Sequence, residues 1–371
     1  MAAKPRFDGE WVRLGDLGNT QAGGTPSSKH PEFFTGTIPW IGTTALNGGL
    51  LDESNAVKMI TEEAVAKSAT KIVPAGSIMV GIRVGVGKVA INAVPMCTSQ
   101  DIVSITGIDT DQWNKEYISL ALQYKAPILA SQAQGATITG ITSKTLKSIT
   151  IPVLALSSQN VVVSQLRGID RQIACAKKRL EFLGILVKSR FAEMFGDAGW
   201  PVATVGSLAV DVRYGTSKKA SDCGEYVYLR MNNMTDDGRL DLDDVKRIDL
   251  NGPELEKCRV VDGDLLFNRT NSREKVGKTV VFHEREPMVI AGYIIRVRLG
   301  DRVRPDFLAT YMNLPTTKAM LRSIAKGAVH QANINSRELS AIEVPVPPME
   351  LQDRFLSFAA EVDKSRFVVR S

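Results

Sequence analysis

Short runs of alternating hydrophobic and polar positions cover most of the chain, and they predict strands. The segments IVSI at 102–105 and YIIRVRL at 293–299 alternate like half-buried strands, and TDDG at 235–238 is a turn signal. Late in each half, at 111–124 and 305–314, the apolar residues instead recur at helical spacing. Each half of the chain therefore predicts an α+β domain built around a curved, mostly antiparallel sheet.

Two other segments show a heptad pattern, in which apolar residues alternate by four and three. The heptad positions are Val162, Leu166, Ile169, Ile173, Leu180, Leu183 and Val187 in the first segment, and Leu351, Phe355, Phe358 and Val362 in the second. Two such seams predict two helices that pack against each other, although each helix could also lie on its own domain. The first helix, of roughly 38 residues, would be about 57 Å long. That length exceeds what a small domain needs, so we expect this helix to act as a spacer.

The two halves of the sequence also repeat each other in order. The paired segments are WVRLGDL (11–17) with WPVATVGSL (200–208), GGTPSSK (23–29) with YGTSKK (214–219), IPWIGTTALNGGLLDE (38–53) with YVYLRMNNMTDDGRLDLDD (226–244), IVPAGSIMVGIRVGVGKVAI (72–91) with RVVDGDLLFNRTNSREKVGKTVVF (259–282), and QGATITGITSKTLKSITIPV (134–153) with KGAVHQANINSRELSAIEVPV (326–346). A nearly constant offset of roughly 190 residues indicates a duplication. We therefore predict one domain over 1–155, a helix over 156–197, a second domain over 198–347 and a shorter helix over 348–371.

Composition adds bounds on the class of protein. A chain of 371 residues with 44% hydrophobic and 23% charged residues is long enough for two domains with their own cores. Its four cysteines and three histidines are widely separated, which argues against a disulfide framework and a zinc site. No signal peptide or membrane-spanning stretch is apparent, so we expect a cytoplasmic protein. The formal charge of +6 suits a polyanionic partner.

One stretch, KVGKTVVF at 275–282, resembles the end of a phosphate-binding loop. Such a loop also needs a glycine five residues before Gly277, because the backbone must wrap around the phosphates, and Ser272 stands there. The equivalent phrase GVGKVAI at 85–91 fails differently, since Val89 follows the lysine. We therefore do not expect a nucleotide site in either half.

Other catalytic patterns are incomplete as well. FGDAG at 195–199 resembles an adenosylmethionine-binding motif, but Asp197 occupies the position of a required glycine. Asp244 and Lys246 form a nuclease-like DxK fragment without a partner acid on a preceding strand. A duplicated chain without catalytic motifs favours a binding protein.

The polar loops carry the side chains that contact nucleic acid, where Arg reads guanine, Asn and Gln read adenine, and Lys and Ser reach phosphates. The DNA-contact candidates are Thr25, Ser27, Lys29, Thr43, Arg83, Lys88, Gln134 and Thr137 in the first half, and Lys218, Lys219, Arg230, Asn232, Asn233, Arg269, Asn271, Ser272, Arg273, Lys275, Lys278, Gln331 and Asn333 in the second. The loops differ strongly between the halves, which predicts two sites of different specificity. For each residue, an ordinary solvated turn is the alternative.

These motifs together resemble a known family. The opening WVRLGDL, the segment GGTPSSKHPEFFTGTIPWI, GDLLFNRTNS with VGKT, and the IPV and VPV segments that lead into heptad helices are similar to the specificity subunit (HsdS) of Type I restriction–modification systems. The resemblance covers essentially the whole chain. It implies a non-catalytic protein in which two target-recognition domains each read one half of a bipartite, asymmetric DNA sequence. An antiparallel pair of long helices would hold the domains apart and set the unread spacer.

The same resemblance implies the partners. Two modification (methyltransferase) subunits would dock on the helices, flip an adenine in each half-site and methylate its N6 with S-adenosylmethionine. Restriction subunits, which carry ATP-dependent translocation and cleavage with Mg²⁺, would join this core, so we expect no cofactor in this chain itself. The family commonly continues further than the second helix does here, so either this helix is short or the chain is truncated, which puts in doubt how firmly one modification subunit would be held. The alternatives are a stand-alone nuclease or NTPase that uses Gly277, Lys278 and Thr279, and a scaffold that binds only proteins.

Overall fold

The computed structural model describes residues 7–133, 140–196, 199–328 and 331–370. The chain forms two compact units, Met1–Gln172 and Ile173–Ser371. Their boundary falls inside a long helix, so this helix contributes to both units, whereas the sequence suggests a region of its own. Among the described helices, none combines the length and the apolar character needed to cross a membrane.

The first unit is built from short strands with three helices inserted between them. Its strands are β1 (Trp11–Arg13), β2 (Asn19–Ala22), β3 (Ile38–Ile41), β4 (Leu50–Leu51), β5 (Lys58–Ile60), β6 (Ile72–Val73), β7 (Ile78–Gly81), β8 (Val89–Asn92), β9 (Met96–Thr98), β10 (Ile102–Thr106) and β11 (Thr150–Pro152), and its helices are α1 (Glu62–Ala66), α2 (Lys115–Ser131) and α3 (Ser143–Lys147). Helix α2 begins where the Asn114 side chain accepts hydrogen bonds from the backbone N–H groups of Glu116 and Tyr117. Strands β7 and β8 are buried on both faces, which explains why their residues are apolar apart from Asn92 at the end of β8.

The second unit follows the long helix α4 (Leu156–Phe195). Its strands are β12 (Val202–Thr204), β13 (Ala209–Tyr214), β14 (Tyr226–Leu229), β15 (Lys246–Ile248), β16 (Arg259–Val260), β17 (Leu265–Asn268), β18 (Thr270–Asn271), β19 (Thr279–Val281), β20 (Met288–Ile290), β21 (Ile294–Leu299), β22 (Lys326–Ala328), β23 (Gln331–Asn333) and β24 (Glu343–Pro345), and its helices are α5 (Val205–Leu208), α6 (Gly252–Cys258), α7 (Pro305–Met312), α8 (Pro315–Ile324), α9 (Ser336–Ser340) and α10 (Met349–Arg370).

The strand orders of the two units correspond, as the sequence repeat predicts. The first unit has one sheet in the order β2-β10-β7-β8-β4 and a second in the order β5-β3-β9-β6. The second unit repeats these as β13-β21-β17-β19 and β15-β14-β20-β16, with the same parallel pair at the centre of the second sheet. In each unit the first strand pairs with the last, β1 with β11 and β12 with β24. The fold class is thus the predicted α+β duplication with mostly antiparallel sheets.

The two glycine–lysine phrases occupy the same turn of the two units. Gly87 and Gly277 have φ angles of 83° and 82°, a left-handed conformation that favours glycine. The N–H of Gly87 donates to the carbonyl of Gly81, and the N–H of Gly277 donates to the carbonyl of Asn268, at 2.9 and 2.8 Å. In both units the glycine therefore closes the hairpin that follows the central buried strand.

Helix α10 packs antiparallel to the last part of α4 inside the second unit. The rings of Phe191 and Phe195 lie 5.2 and 5.9 Å from that of Phe355, while further along α10 the Arg190 guanidinium lies 5.9 Å from the Phe358 ring. Near the end of α10, the Arg366 guanidinium approaches Gly184. Contacts further towards the end of α10 are thus made with residues further towards the start of α4, which confirms the antiparallel helix pair.

The earlier part of the heptad seam in α4 is not buried within the described chain. Leu166, Ile169 and Ile173 keep 40%, 50% and 49% of their surface exposed, whereas Phe355 and Val362 of the α10 seam are 0% and 6% exposed. The remaining seam positions, Val162, Leu180, Leu183, Val187, Leu351 and Phe358, are half-buried. The 22 residues of α10 run along only the end of the 40-residue α4, so the middle of the seam keeps an apolar surface.

Candidate nucleic-acid interface

The hairpin loop that follows β17 in the second unit brings several predicted residues together. Arg269 stands directly after β17, and its main chain is fixed by hydrogen bonds to Tyr293 O at 3.0 Å and from Ile334 N at 2.9 Å. Its Nε donates to Asn333 Oδ1 at 3.2 Å, and the guanidinium carbon lies 4.8 Å from the centre of the Tyr214 ring. Because one N–H of five is used by Asn333, the fork of Arg269 retains donors for an external acceptor.

Tyr214 and Asn333, which hold the Arg269 side chain, are themselves fixed by hydrogen bonds. The Tyr214 hydroxyl donates to Ser336 Oγ at 2.9 Å and accepts from the Ser336 N–H at 2.7 Å. The same Asn333 Oδ1 also accepts from Thr270 Oγ1 at 3.2 Å. A guanidinium held between a ring face and an amide loses little side-chain entropy on binding. This arrangement suits an arginine that recognises a planar acceptor pair such as a guanine edge.

The rest of this loop turns away from β18 with polar residues on its outside. The backbone N–H of Ser272 donates to Asn271 Oδ1 at 2.9 Å, and the backbone N–H of Lys275 donates to Ser272 O at 3.0 Å. Arg273 Nη2 donates to the carbonyls of Ala325 and Gly327 at 3.3 and 3.4 Å. Lys275 and Gln331 are exposed. The loop thus presents Asn271, Ser272 and Lys275 beside Arg269.

Lys278 differs from the lysine of the first unit in its surroundings. Its Nζ lies 3.0 Å from Asp236 Oδ1 and donates to Met234 O at 2.9 Å, and its side chain is only 12% exposed. Lys88 is exposed instead. Thr279 is fully buried, and its hydroxyl donates to Gly277 O at 3.1 Å. The Gly277–Lys278–Thr279 phrase is therefore occupied by internal contacts, and it gives no support to a nucleotide-hydrolysing or nuclease site.

A second group of predicted residues lines a cleft of about 610 Å³ in the same unit. Its walls are Thr216, Ser217, Lys218, Lys219, Ala220, Tyr228, Arg230, Lys246, Gly292 and Tyr293. The Tyr228 hydroxyl donates to backbone carbonyls of Thr216 and Lys218 at 3.1 and 3.2 Å, and burial raises the pKa of Tyr228 to about 12. A neutral ring therefore forms part of the cleft between basic side chains.

Carboxylates at the rim partly neutralise the basic residues of the cleft. Lys218 lies 2.5 Å from Glu254, and Arg230 lies 3.0 Å from Asp244. Lys246 is paired with Asp222. A DNA phosphate would have to compete with these acids, so the cleft is less free to bind an anion than its lysines alone suggest.

Some candidates serve the fold instead of facing solvent. Asn233 is 2% exposed: its Nδ2 donates to the Asp241 and Asp244 carbonyls at 2.9 Å, and its Oδ1 accepts from Arg230 N at 2.9 Å. Thr43 is 7% exposed at the start of a 3₁₀ turn. The Asn233 side chain thus holds its own turn together, and both residues are buried in this structure. The neighbouring Asn232 is exposed.

The candidates of the first unit are mostly surface residues. Thr25, Ser27 and Lys29 are exposed in the loop after β2. Arg83 Nη1 lies 3.9 Å from Asp101 with 47% of its side chain exposed. Gln134 and Thr137 lie outside the described residues.

Sequence reasoning missed the side chains that support these loops. Tyr214 ends strand β13, and Tyr228 and Tyr293 carry no motif, so in the sequence they look like ordinary core or strand residues. Lys318 and Arg322 stand four residues apart on helix α8, a spacing that reads as a solvated helix face. Only the packing of α8 against the loop at 274–278 reveals them.

Residues 8–183 match the protein family described as the Type I restriction modification DNA specificity domain. This match lies in the first half of the chain, and the strand order of that half recurs in the second. The chain is 32% identical over 189 residues to the EcoR124I/EcoR124II specificity subunit of Escherichia coli, a region that covers 47% of this chain and 46% of that protein. It is 31% identical over 193 residues to the MjaIX specificity subunit of Methanocaldococcus jannaschii, covering 51% of this chain and 44% of that protein.

A solved structure supports the same fold over the whole length. This structure, which concerns complex assembly and conformational transition of the type I R-M system, covers 99% of this chain and 93% of its own at 17% identity, with a TM-score of 0.59. The chain is thus similar to specificity subunits of type I restriction–modification systems, the family that its motifs resemble. Its matches span about half the length of the curated relatives.

Proposed function

We propose that this chain is the DNA-reading subunit of a type I restriction–modification complex, in which each unit reads one half of a bipartite, asymmetric site. The observation that carries the proposal is a duplicated strand order with unequal loops, since equal frames with different polar loops serve two different sequences. In the second unit, Arg269, Asn271 and Ser272 form the main base-reading loop. The chain performs no catalysis, and its double-stranded DNA ligand is recognised through base edges and phosphates.

The helices supply the second part of the proposed function. The apolar surface at Leu166, Ile169 and Ile173 of α4 accommodates two modification subunits, which carry S-adenosylmethionine and methylate adenine N6. Restriction subunits with ATP and Mg²⁺ complete the complex. The distance between the two reading units then sets the number of unread base pairs.

A domain exchange tests the modular part of this proposal. The chain is purified with the modification subunits of its own system, residues 1–155 are replaced by those of a relative, and methylated DNA is sequenced as single molecules to locate N6-methyladenine. We expect one half-site to change and the other to remain. An unchanged recognised sequence would contradict the assignment of one half-site to each unit.

The helix length tests the spacer. Insertion of seven residues after Ile173 extends α4 by about 10 Å, equivalent to at most about three base pairs of DNA. We expect both half-sites to be kept and the unread spacer to grow. A matched insertion of the same seven residues after Arg285, in an exposed turn, should leave the spacer unchanged. An unaltered spacer in the α4 variant would refute the ruler role of the helix.

A further inference from the structure

A second basic pocket lies behind the reading loop of the second unit. It has a volume of about 390 Å³, and it is formed mainly by the loop at 274–278, helix α8 and Lys188 of α4. Its charged side chains are Lys188, Asp236, Glu274, Lys275, Lys278, Lys318 and Arg322. Five cations thus face two carboxylates.

Most of this positive charge is not neutralised inside the unit. Lys278 forms an ion pair with Asp236. Over the described ranges, none of the other four cations has a carboxylate oxygen within 4 Å of its charged nitrogens. Repulsion between clustered cations lowers the stability of the folded state. A fold that nevertheless keeps these cations together is suited to bind an anionic ligand.

Lys318 occupies an enclosed position in the pocket. Its Nζ donates a hydrogen bond to the Gly277 carbonyl, and its side chain is half-buried. Burial lowers the pKa of Lys318 to about 7, and the neighbouring cations Lys188, Lys278 and Arg322 act in the same direction. Asp236 opposes this shift, but it is already paired with Lys278. An anion placed here would therefore restore the positive charge of Lys318.

The start of helix α8 adds to the positive potential. Pro315 is its first residue and lines the pocket, and the capping residue Leu314 provides no side-chain hydrogen bond to the first turn. Backbone N–H groups at a helix start carry partial positive charge and favour phosphate groups. This contribution acts together with the lysines and would not suffice alone.

The corresponding place in the first unit lacks the two cations of α8, although Lys88 stands where Lys278 does. A Cβ on Gly87 would meet Ala126 of α2 at 2.7 Å, just as a Cβ on Gly277 would meet Leu321 of α8 at 2.7 Å. Counted from these two packed residues, the positions of Lys318 and Arg322 are held by Gln123 and Pro127. The shared frame folds without these two charges, so Lys318 and Arg322 serve something other than the fold.

We propose that this pocket binds a phosphate group through Lys318 and Arg322, assisted by Lys188 and Lys275. The phosphate belongs either to the DNA backbone or to a free polyphosphate. Binding of a DNA phosphate rests on the proposed function, whereas binding of a free polyphosphate does not. Lysines serve phosphates as point charges, and the pocket is large enough for a diphosphate. Because the pKa of Lys318 is about 7, binding of a phosphate group is accompanied by uptake of a proton by Lys318.

The first arm of the test uses inorganic pyrophosphate. Isothermal titration of the purified full chain at pH 8 in two buffers of different ionisation enthalpy measures both affinity and proton uptake. We expect binding with net proton uptake, an affinity loss of about tenfold in Arg322→Gln, and loss of the proton uptake in Lys318→Met. Lys364→Gln, a 73% exposed lysine on α10, is the control and should bind as the parent does.

The second arm uses the recognised duplex and the assembled complex. If the phosphate is that of DNA, Arg322→Gln should weaken binding equally on all sequences and reduce the salt slope by about one. Arg322 is exposed, so this variant keeps the fold even if Lys318→Met does not. If pyrophosphate does not bind and the salt slope is unchanged in Arg322→Gln, the assignment of a phosphate site to this pocket is refuted. Methylation of DNA by the complex tests the proposed function separately.

Discussion

Replacement of Arg269 gives the sharpest prediction for base reading. Its main chain is held on both sides by backbone hydrogen bonds, so Arg269→Ala removes the guanidinium without disturbing the strand. If the guanidinium contacts one guanine through two hydrogen bonds, Arg269→Ala should weaken the free energy of DNA binding by about 1–3 kcal/mol, or roughly 5- to 150-fold in affinity. Because the two units are separate, the loss should be confined to sequences that differ in the second half-site.

Arg269→Lys separates charge from geometry. Lysine keeps the positive charge but lacks the planar fork and its stacking on Tyr214, 4.8 Å from the guanidinium carbon. We therefore expect Arg269→Lys to retain non-specific affinity and its salt dependence, while discrimination at one base pair falls nearly as far as in Arg269→Ala. Arg285→Ala, in an exposed turn of the same unit, is the matched control and should not change discrimination.

The assay is fluorescence anisotropy of the assembled complex on duplexes that carry single base changes in either half-site, over a salt series. A loss that is uniform across all sequences and lowers the salt slope would show that Arg269 contacts phosphate, and would refute the base-reading assignment. A loss confined to the first half-site would refute the assignment of this loop to the second.

Three predictions concern the stability of the second unit. Arg296 is fully buried and its Nη2 lies 2.6 Å from Asp211 Oδ2, so Arg296→Ala should cost about 3–5 kcal/mol of unfolding free energy in urea denaturation; a loss below that of the partly exposed Arg298→Ala would contradict this. His283 is held between two carboxylates, and its hydrogen bond to Asp306 raises its pKa to about 9 against the opposing effect of burial, with Asp262 adding to the rise. The stabilisation is thus complete below the ordinary pKa of 6.5 and lost as pH rises through 9. Because half of the His283 side chain is exposed, we expect this stabilisation to be about 1 kcal/mol. It is measured by comparing the urea midpoints of the parent and of His283→Gln, and the difference between them should shrink from about pH 6 to about pH 10. Phe355→Ala empties a fully buried ring site at a cost of about 3–5 kcal/mol, and hydrogen exchange along α10 should rise selectively, whereas an unchanged exchange rate would show that α10 does not depend on this ring.

The architecture of this protein and its resemblance to a known family are readable from the sequence without coordinates. Its alternating runs and the ordered repeat specify two similar α+β units, because strand periodicity and turn chemistry are local properties that survive duplication. The heptads specify the two helices that the structure shows as α4 and α10. The glycines at 87 and 277 were also readable, since a tight left-handed turn favours glycine wherever it occurs.

Which polar residues are available for recognition depends on tertiary packing. Asn233 and Lys278 read as DNA contacts in the sequence, yet one caps a turn and the other is paired with Asp236 inside the unit. Lys318 gave no sequence signal, because its altered proton affinity comes from burial and from cations on other elements. Contacts between residues far apart in the chain set the burial and charge of each side chain, and local sequence patterns do not encode them.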